Sequence, residues 1–100
     1  MPREQALYVV VRKDLGKSSS AVQAGHSVAE FMMDHPGVWN NGYLVYLAVP
    51  NLDELHKCML TKYPDVSEFY EPDLNHQLTA FAVLGSLDSR LSDFASLPLL

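Results

Sequence analysis

Lys17 follows Gly16 directly, and three serines lead from this pair into a segment with helical spacing. An apolar run typical of a strand precedes the pair. Where a strand turns through a short loop into a helix, the first N–H groups lack intrahelical partners and the helix dipole makes that end positive. The pattern predicts an anion site formed by Lys17 and the N–H groups near Ser19, Ser20 and Ala21. Ser20 is the first candidate for the helix N-cap, and Ser18 and Ser19 are the alternatives. A solvent-exposed lysine beside capping serines is the alternative.

Four polar residues lie at helical spacing just after this loop: Gln23, His26, Ser27 and Glu30. They share one face of the predicted helix, because residues three and four apart are neighbours on a helix surface. Histidine exchanges a proton near neutral pH, and a carboxylate one turn away can tune it. The face is therefore a candidate for acid–base chemistry. An exposed helix face that carries a histidine is the simpler interpretation.

A second polar group, formed by Glu71, Asp73, His76 and Thr79, surrounds the connection between the last two predicted strands. Ligands of α/β sheets gather where parallel strands end. If the first and third strands run in the same direction, these carboxylates and the Thr79 hydroxyl lie at the same edge as Lys17. A polar turn without a functional role is the competing interpretation, because proline and aspartate are ordinary turn residues.

The elements that must position these groups follow from the apolar runs and the turn residues. Unbroken apolar runs predict strands that are covered on both faces, and helical spacing between them predicts crossover helices. The fold class is α/β: a three-layer α/β/α domain with a mixed four-stranded sheet in the order β-α-β-α-β-β-α. The predicted strands are residues 6–12, 43–49, 66–70 and 78–84, and the predicted helices are residues 21–34, 52–62 and 87–94.

The first helix also carries an apolar stripe that predicts its buried face. Val22, Gly25, Ala29, Met32 and Met33 form one stripe at helical spacing, which is widened by Ala21, Ala24, Val28 and Phe31. The small residues Ala21, Ala24 and Gly25 suggest a close approach to the sheet. The apolar tail at residues 97–100 has two possible places. It packs either on its own domain or on a second subunit.

Composition narrows the class of protein. A chain of 100 residues is expected to form a single domain with a modest core, for which a homodimer is a natural state. A net charge of −5 argues against an extended basic surface for nucleic acid. The single cysteine allows no internal disulfide, and we expect a cytoplasmic protein without a membrane segment. The four histidines lack the short spacing of metal ligands.

The N-terminal residues resemble those of a known family. Residues 8–15 (YVVVRKDL), the pair Gly16 and Lys17, and residues 21–27 (AVQAGHS) are similar to the N-terminal motif of type II peptidyl-tRNA hydrolases. That motif consists of an apolar strand, R-x-D-L, a Gly-Lys loop and A-A-Q-x-x-H-A on a helix. Residues 82–85 (AVLG) resemble the family's T-V-L-G segment. The resemblance implies an α/β fold and hydrolysis of the ester between a peptide and the 3′ ribose of tRNA.

The resemblance also implies roles for single residues. Lys17 corresponds to the first lysine of the family's G-K-G-K loop, and Ser19 stands in the place of the second. The family's aspartate corresponds to Glu71 or Asp73, and a threonine corresponds to Thr79. The implied substrate is the 3′ end of peptidyl-tRNA, and no metal or other cofactor is required.

In the implied reaction a water molecule attacks the ester carbonyl. Glu71 or Asp73 orients or deprotonates the water, with His26 as an alternative base. Lys17 and nearby N–H groups stabilise the oxyanion or hold a phosphate of the tRNA 3′ end. The implied substrate-binding residues are Ser19, Ser20 and Gln23.

A binding module that keeps this fold without catalysis is the other hypothesis. The acidic net charge and the absence of the second loop lysine favour it. Gly16, Lys17, Gln23 and His26 favour the enzyme.

Overall fold

The computed structural model describes residues 5–59, 65–86, 94 and 96–100. The predicted third helix, except Phe94, and the end of the predicted second helix lie outside them. No helix among the described residues has the length and hydrophobicity needed to cross a membrane. In chain order the strands and helices are β1 (Gln5–Arg12), α1 (Lys17–Asp34), β2 (Tyr43–Val49), α2 (Leu52–Met59), β3 (Val66–Glu71) and β4 (Gln77–Ser86).

The four strands form one mixed sheet in the order β2-β1-β4-β3. β1 pairs with β2 in parallel, and β4 runs antiparallel to both β1 and β3. β1 and β3 therefore run in the same direction, and both end at the edge of the sheet where β4 begins. The prediction of a mixed α/β sheet is confirmed.

Two apolar clusters lie on opposite faces of the sheet, one under each helix. Leu7 and Val9 point towards α1, while Tyr8 and Val10 point towards α2. Side chains of successive strand residues point to opposite faces, so a strand covered on both sides is apolar at every position. This explains why β1 shows no alternation between apolar and polar residues.

The start of α1 differs from the prediction. The helix begins at Lys17 rather than at Ala21, with Gly16 at the N-cap position and no side chain capping it among the described residues. Gly16 has a φ of 93°, which glycine adopts without strain, so the chain can turn sharply after β1. The predicted N-cap, Ser20, is buried, and its hydroxyl donates to the Arg12 carbonyl at 2.8 Å.

The buried face of α1 differs in part from the prediction. Val22 is 57% exposed and Met33 is 69% exposed, whereas Gln23, Ser27 and Phe31 are buried. The polar side chains turn inward because the neighbouring strands offer them hydrogen-bond partners; Ser27, for example, donates to the Ser67 carbonyl at 3.3 Å. Of the predicted apolar face, Ala24 and Phe31 are buried, whereas Val22, Ala29, Met32 and Met33 face the solvent.

The tail lies along the outer edge of β2. The Ala48 N–H donates to the Pro98 carbonyl at 2.9 Å, and the Leu100 N–H donates to the Tyr46 carbonyl at 3.1 Å. Leu99 forms an antiparallel bridge with Leu47. These bonds occupy backbone groups that an edge strand would otherwise leave unpaired. The tail therefore packs on its own domain, which is one of the two places that the sequence left open.

Candidate functional site

Arg12 lies where β1 ends and β4 begins, and its guanidinium group forms hydrogen bonds to several segments there. Its Nε and Nη2 donate to the two carboxylate oxygens of Asp14, each at 2.8 Å. Its Nη1 donates to Gln77 Oε1 at 2.9 Å and to the Leu78 carbonyl at 3.4 Å. Hydrogen bonds from the guanidinium lower the pKa of Asp14 from its usual value. The largely buried arginine thus joins three segments around the site.

Replacing Asp14 with asparagine is expected to lower the free energy of unfolding at neutral pH by roughly 1 kcal/mol, because one charge-assisted pair is lost at a partly exposed position. A carboxylate with a lowered folded pKa stabilises the protein above its unfolded pKa of about 4 and loses that effect as the pH falls through the folded value. The difference in the free energy of unfolding between wild type and Asp14→Asn should therefore become smaller as the pH falls into the acidic range.

Urea unfolding of both proteins across a series of pH values measures this difference. The same change at the exposed Asp53 is the control, since no described side chain forms an ion pair with it. A difference between wild type and Asp14→Asn that stays constant from neutral pH to strong acid would contradict the assigned role of the Arg12–Asp14 pair.

A chain of hydrogen bonds joins Thr79, Gln23 and Glu71 beneath this edge. The Thr79 hydroxyl donates to Gln23 Oε1 at 2.7 Å, and Gln23 Nε2 donates to Glu71 Oε1 at 2.8 Å. A carboxylate can only accept, so the amide nitrogen of Gln23 must face Glu71. Both Thr79 and Gln23 are buried. The chain therefore fixes one oxygen of the Glu71 carboxylate from inside the protein.

The other oxygen of Glu71 faces the loop between β3 and β4. The Asp73 N–H approaches Glu71 Oε2 at 3.5 Å, and the His76 N–H donates to the Glu71 carbonyl at 3.0 Å. Asn75 and His76 adopt left-handed backbone angles, with φ of 54° and 58°. Such angles are uncommon outside glycine and cluster at sites that the surrounding structure holds in place. The turn thereby keeps Glu71 and Asp73 side by side.

Glu71 lines a cleft of about 260 Å³. The cleft combines two carboxylates, an amide and a hydroxyl with two leucine walls, so it can hold a polar reacting group beside an apolar substituent. Its lining residues are Leu15, Ser19, Gln23, Glu71, Asp73 and Leu74.

Lys17 lies in a different cleft, on the other side of the first turn of α1. This second cleft has a volume of about 340 Å³ and includes Lys13, Ala48 and the tail from Pro98 to Leu100. Residues two positions apart on a helix point to nearly opposite sides, which separates Lys17 from Ser19. The structure therefore does not place Lys17 among the residues that line the Glu71 cleft.

His26 also lies outside the lining of the Glu71 cleft. Its ring stacks on Phe69 with centroids 4.7 Å apart and an angle of 9° between the ring planes. No ion pair joins His26 and Glu30, although both residues are described. Partial burial and the neighbouring Asp34 carboxylate raise the pKa of Glu30. The exposed histidine thus contacts β3 through its ring face.

Of the predicted site residues, the structure brings together Ser19, Gln23, Glu71, Asp73 and Thr79, and it places Lys17, Ser20 and His26 elsewhere. Sequence reasoning did not identify Leu15 and Leu74 as walls of the cleft, or Arg12 as its organiser. A signal for Arg12 was available, because an arginine at the end of a buried strand with an aspartate two residues later suits a paired charge.

Among the described residues, no three histidine, cysteine, aspartate or glutamate side chains come close enough to hold a metal ion. No protein-family model matches the chain. No curated protein matches it either. Comparison therefore assigns the chain to no family, and its function has to be argued from the chemistry of the site.

Proposed function

We propose that this protein hydrolyses the ester bond between a peptide, or an N-blocked amino acid, and the 3′ ribose of tRNA. The observation that carries the proposal is the Thr79–Gln23–Glu71 chain, which holds a carboxylate at the mouth of a cleft where two parallel strands end. The resemblance of residues 8–27 to type II peptidyl-tRNA hydrolases supplies the substrate class. The buried part of the chain keeps the carboxylate in one orientation, as a general base requires.

In this proposal Glu71 takes a proton from a water molecule while the water oxygen forms a bond to the ester carbonyl carbon. The bond between that carbon and the ribose oxygen then breaks, and the ribose oxygen receives the proton that Glu71 took up. The peptide acid releases its own proton to the solvent. The products are a peptide with a free carboxylate and a tRNA with a free 3′ hydroxyl. Glu71 suits the role of base better than Asp73, because Gln23 holds one of its oxygens at 2.8 Å.

The first turn of α1 suits a phosphate of the tRNA 3′ end. It lies between the two clefts, since Ser19 lines the Glu71 cleft and Lys17 lines the other. Its N–H groups and the positive end of the helix dipole attract an anion, and Lys13 and Lys17 add charge in a protein that is acidic overall. Lys17 would therefore bind phosphate rather than stabilise the oxyanion.

A binding module without catalysis is the second candidate. The observation in its favour is that Ser19, at the cleft, stands where the family places its second lysine. Under this alternative the protein folds in the same way and turns over no tRNA ester. Binding of tRNA through phosphates would weaken steeply with added salt, whereas docking of a protein partner through apolar contacts would not.

Thr79 provides a test of the hydrogen-bond chain. Replacing Thr79 with valine should lower kcat by roughly fivefold, because the Gln23 amide loses the donor that orients it towards Glu71. Thr79→Ser keeps the hydroxyl and should retain most of the activity. The assay follows release of labelled N-blocked amino acid from tRNA, and circular dichroism checks the fold. Equal losses in the valine and serine variants would contradict the positioning role of Thr79.

A further inference from the structure

Two leucines from separate turns line the cleft beside Glu71. The segment Lys13–Leu15 follows β1 and the segment Pro72–Leu74 follows β3, and each is a single turn of 3₁₀ helix that ends at its leucine. Neither leucine belongs to the two apolar clusters of the core, although the structure describes both residues. A single exposed leucine is ordinary on a protein surface, but two that line one cleft indicate a site for an apolar group.

Contacts beside each leucine hold the two walls in place. Arg12 donates to both carboxylate oxygens of Asp14, each at 2.8 Å, and Asp14 directly precedes the leucine of the first turn. In the second turn the Asp73 N–H approaches Glu71 Oε2 at 3.5 Å, and Asp73 directly precedes the other leucine. Because the walls are positioned before a ligand arrives, binding an apolar group between them requires little further ordering of the protein.

The polar side of the same cleft carries negative charge. Glu71 and Asp73 line it, and none of its described lining residues is a lysine or an arginine. Lys17 lines the other cleft. A carboxylate on a ligand would therefore meet like charges without a compensating cation, which weakens binding. The cleft accordingly suits a neutral apolar group and disfavours an acidic one.

The chemistry of the ester determines which part of the substrate reaches the leucines, and this step rests on the proposed hydrolysis. The carbonyl carbon that water attacks is bonded to the Cα of the last amino acid, so the side chain begins two bonds from the reacting carbon. With that carbonyl at Glu71, the side chain lies in the same cleft. Its volume of about 260 Å³ is below the roughly 300–1,000 Å³ of sites that hold a whole small-molecule ligand, so it suits one side chain rather than a longer stretch of peptide.

We infer that Leu15 and Leu74 select the amino acid that is esterified to the tRNA. They bind an apolar side chain, while Glu71 and Asp73 disfavour an acidic one. The two leucines are thus specificity-determining residues and take no part in the transfer of protons. Their loss should change which ester is hydrolysed fastest, and it should leave the hydrolysis of a polar ester in place.

Three esters on one tRNA test the selection. The same tRNA carries N-acetyl-leucine, N-acetyl-asparagine or N-acetyl-aspartate, whose side chains have similar shapes but differ in polarity and charge. Each kcat/KM is divided by the rate of spontaneous hydrolysis at the same pH, because the esters differ in intrinsic reactivity. The normalised value for the leucine ester should exceed that for the asparagine ester at least about tenfold. The aspartate ester should be lower by a further factor of roughly three.

Leu74→Ala separates selection from a general loss of activity. It shortens one wall and should lower the leucine-to-asparagine ratio of kcat/KM about fivefold, with little change for the asparagine ester. A ratio measured on one preparation does not depend on how much of the protein is folded. Leu44→Ala is the matched control, because Leu44 on β2 is 43% exposed, against 36% for Leu74, and lines neither of the two clefts. Its ratio should equal that of wild type.

Equal normalised values for the three esters would overturn the selection and leave the proposed hydrolysis standing. A ratio that Leu74→Ala leaves unchanged would also overturn it. So would an N-acetyl-lysine ester that is hydrolysed faster than the leucine ester, because the carboxylates rather than the leucines would then select the side chain. If the folded wild-type protein hydrolysed none of these esters, the proposed hydrolysis and the selection would both be wrong.

Discussion

Replacing Glu71 with glutamine is expected to lower kcat by about two orders of magnitude, the usual contribution of a positioned general base. Glutamine has nearly the same shape but cannot accept a proton from water at neutral pH. The Gln23 amide can still donate to the new side-chain oxygen, so the hydrogen-bond chain and the fold should persist. KM should change little, because the substitution removes a group that acts in the reaction step rather than in binding.

Asp73→Asn is the matched control for Glu71→Gln. Both side chains line the same cleft, and each change removes one carboxylate charge. Asp73→Asn is expected to lower kcat much less than Glu71→Gln does. Asp73 contacts Glu71 through its backbone N–H, which the substitution leaves in place. If Asp73→Asn abolished turnover and Glu71→Gln did not, the assignment of the base would be wrong and Asp73 would take that role.

Replacing Lys17 with alanine should lower kcat/KM at least about tenfold, and mostly by raising KM. This is expected because Lys17 lies in the cleft beside the first turn of α1 and not among the residues around Glu71. A lysine that binds phosphate contributes to ground-state and transition-state binding alike. The deficit should also become smaller as salt is added, because salt weakens the wild-type contact with phosphate.

Lys57→Ala controls for the loss of one positive charge. Lys57 is exposed on α2 and pairs with Glu54 at 3.1 Å, away from both clefts. This variant should keep the wild-type KM at every salt concentration. A Lys17→Ala protein that lost kcat with an unchanged KM would show instead that Lys17 acts on the reacting ester, contrary to its position in the structure.

The sheet could be predicted from the sequence because its strands are buried on both faces. Unbroken apolar runs such as the one in β1 are typical of strands that are covered on both faces, and they predicted the four strands of the mixed sheet. Glu71 and Asp73 were expected at the end of β1 on the condition that β1 and β3 run in the same direction, as they do. These predictions rest on local pattern together with general rules of sheet topology.

The internal partners at the site could not be predicted in the same way. Thr79 is 56 residues from Gln23 in the chain, and the contact depends on the rotation of α1 over the sheet and the register of β4. Strands buried on both faces show no alternation, so the sequence leaves their register open. The separation of Lys17 from Glu71 depends on the helix starting at Lys17, one turn earlier than the serines suggested.

The rotation of α1 illustrates a further limit of hydrophobic periodicity. Val22, Ala29 and Met33 do form an apolar face, as the spacing predicts, but that face points away from the sheet. Hydrophobic periodicity indicates that one face of a helix is apolar. It does not show what, if anything, covers that face. Gln23 and Ser27 could face inward only because hydrogen-bond partners on β3 and β4 compensate for their burial.

The most direct test of the central claim is release of free tRNA from a labelled N-blocked aminoacyl-tRNA by the wild-type protein. Glu71→Gln serves as the slow reference, because a contaminating hydrolase would act equally in both preparations. The proposal predicts multiple turnovers by wild type and a rate about a hundredfold lower for the variant. A folded wild-type protein with no more turnover than Glu71→Gln would contradict the proposed hydrolase and favour the binding module.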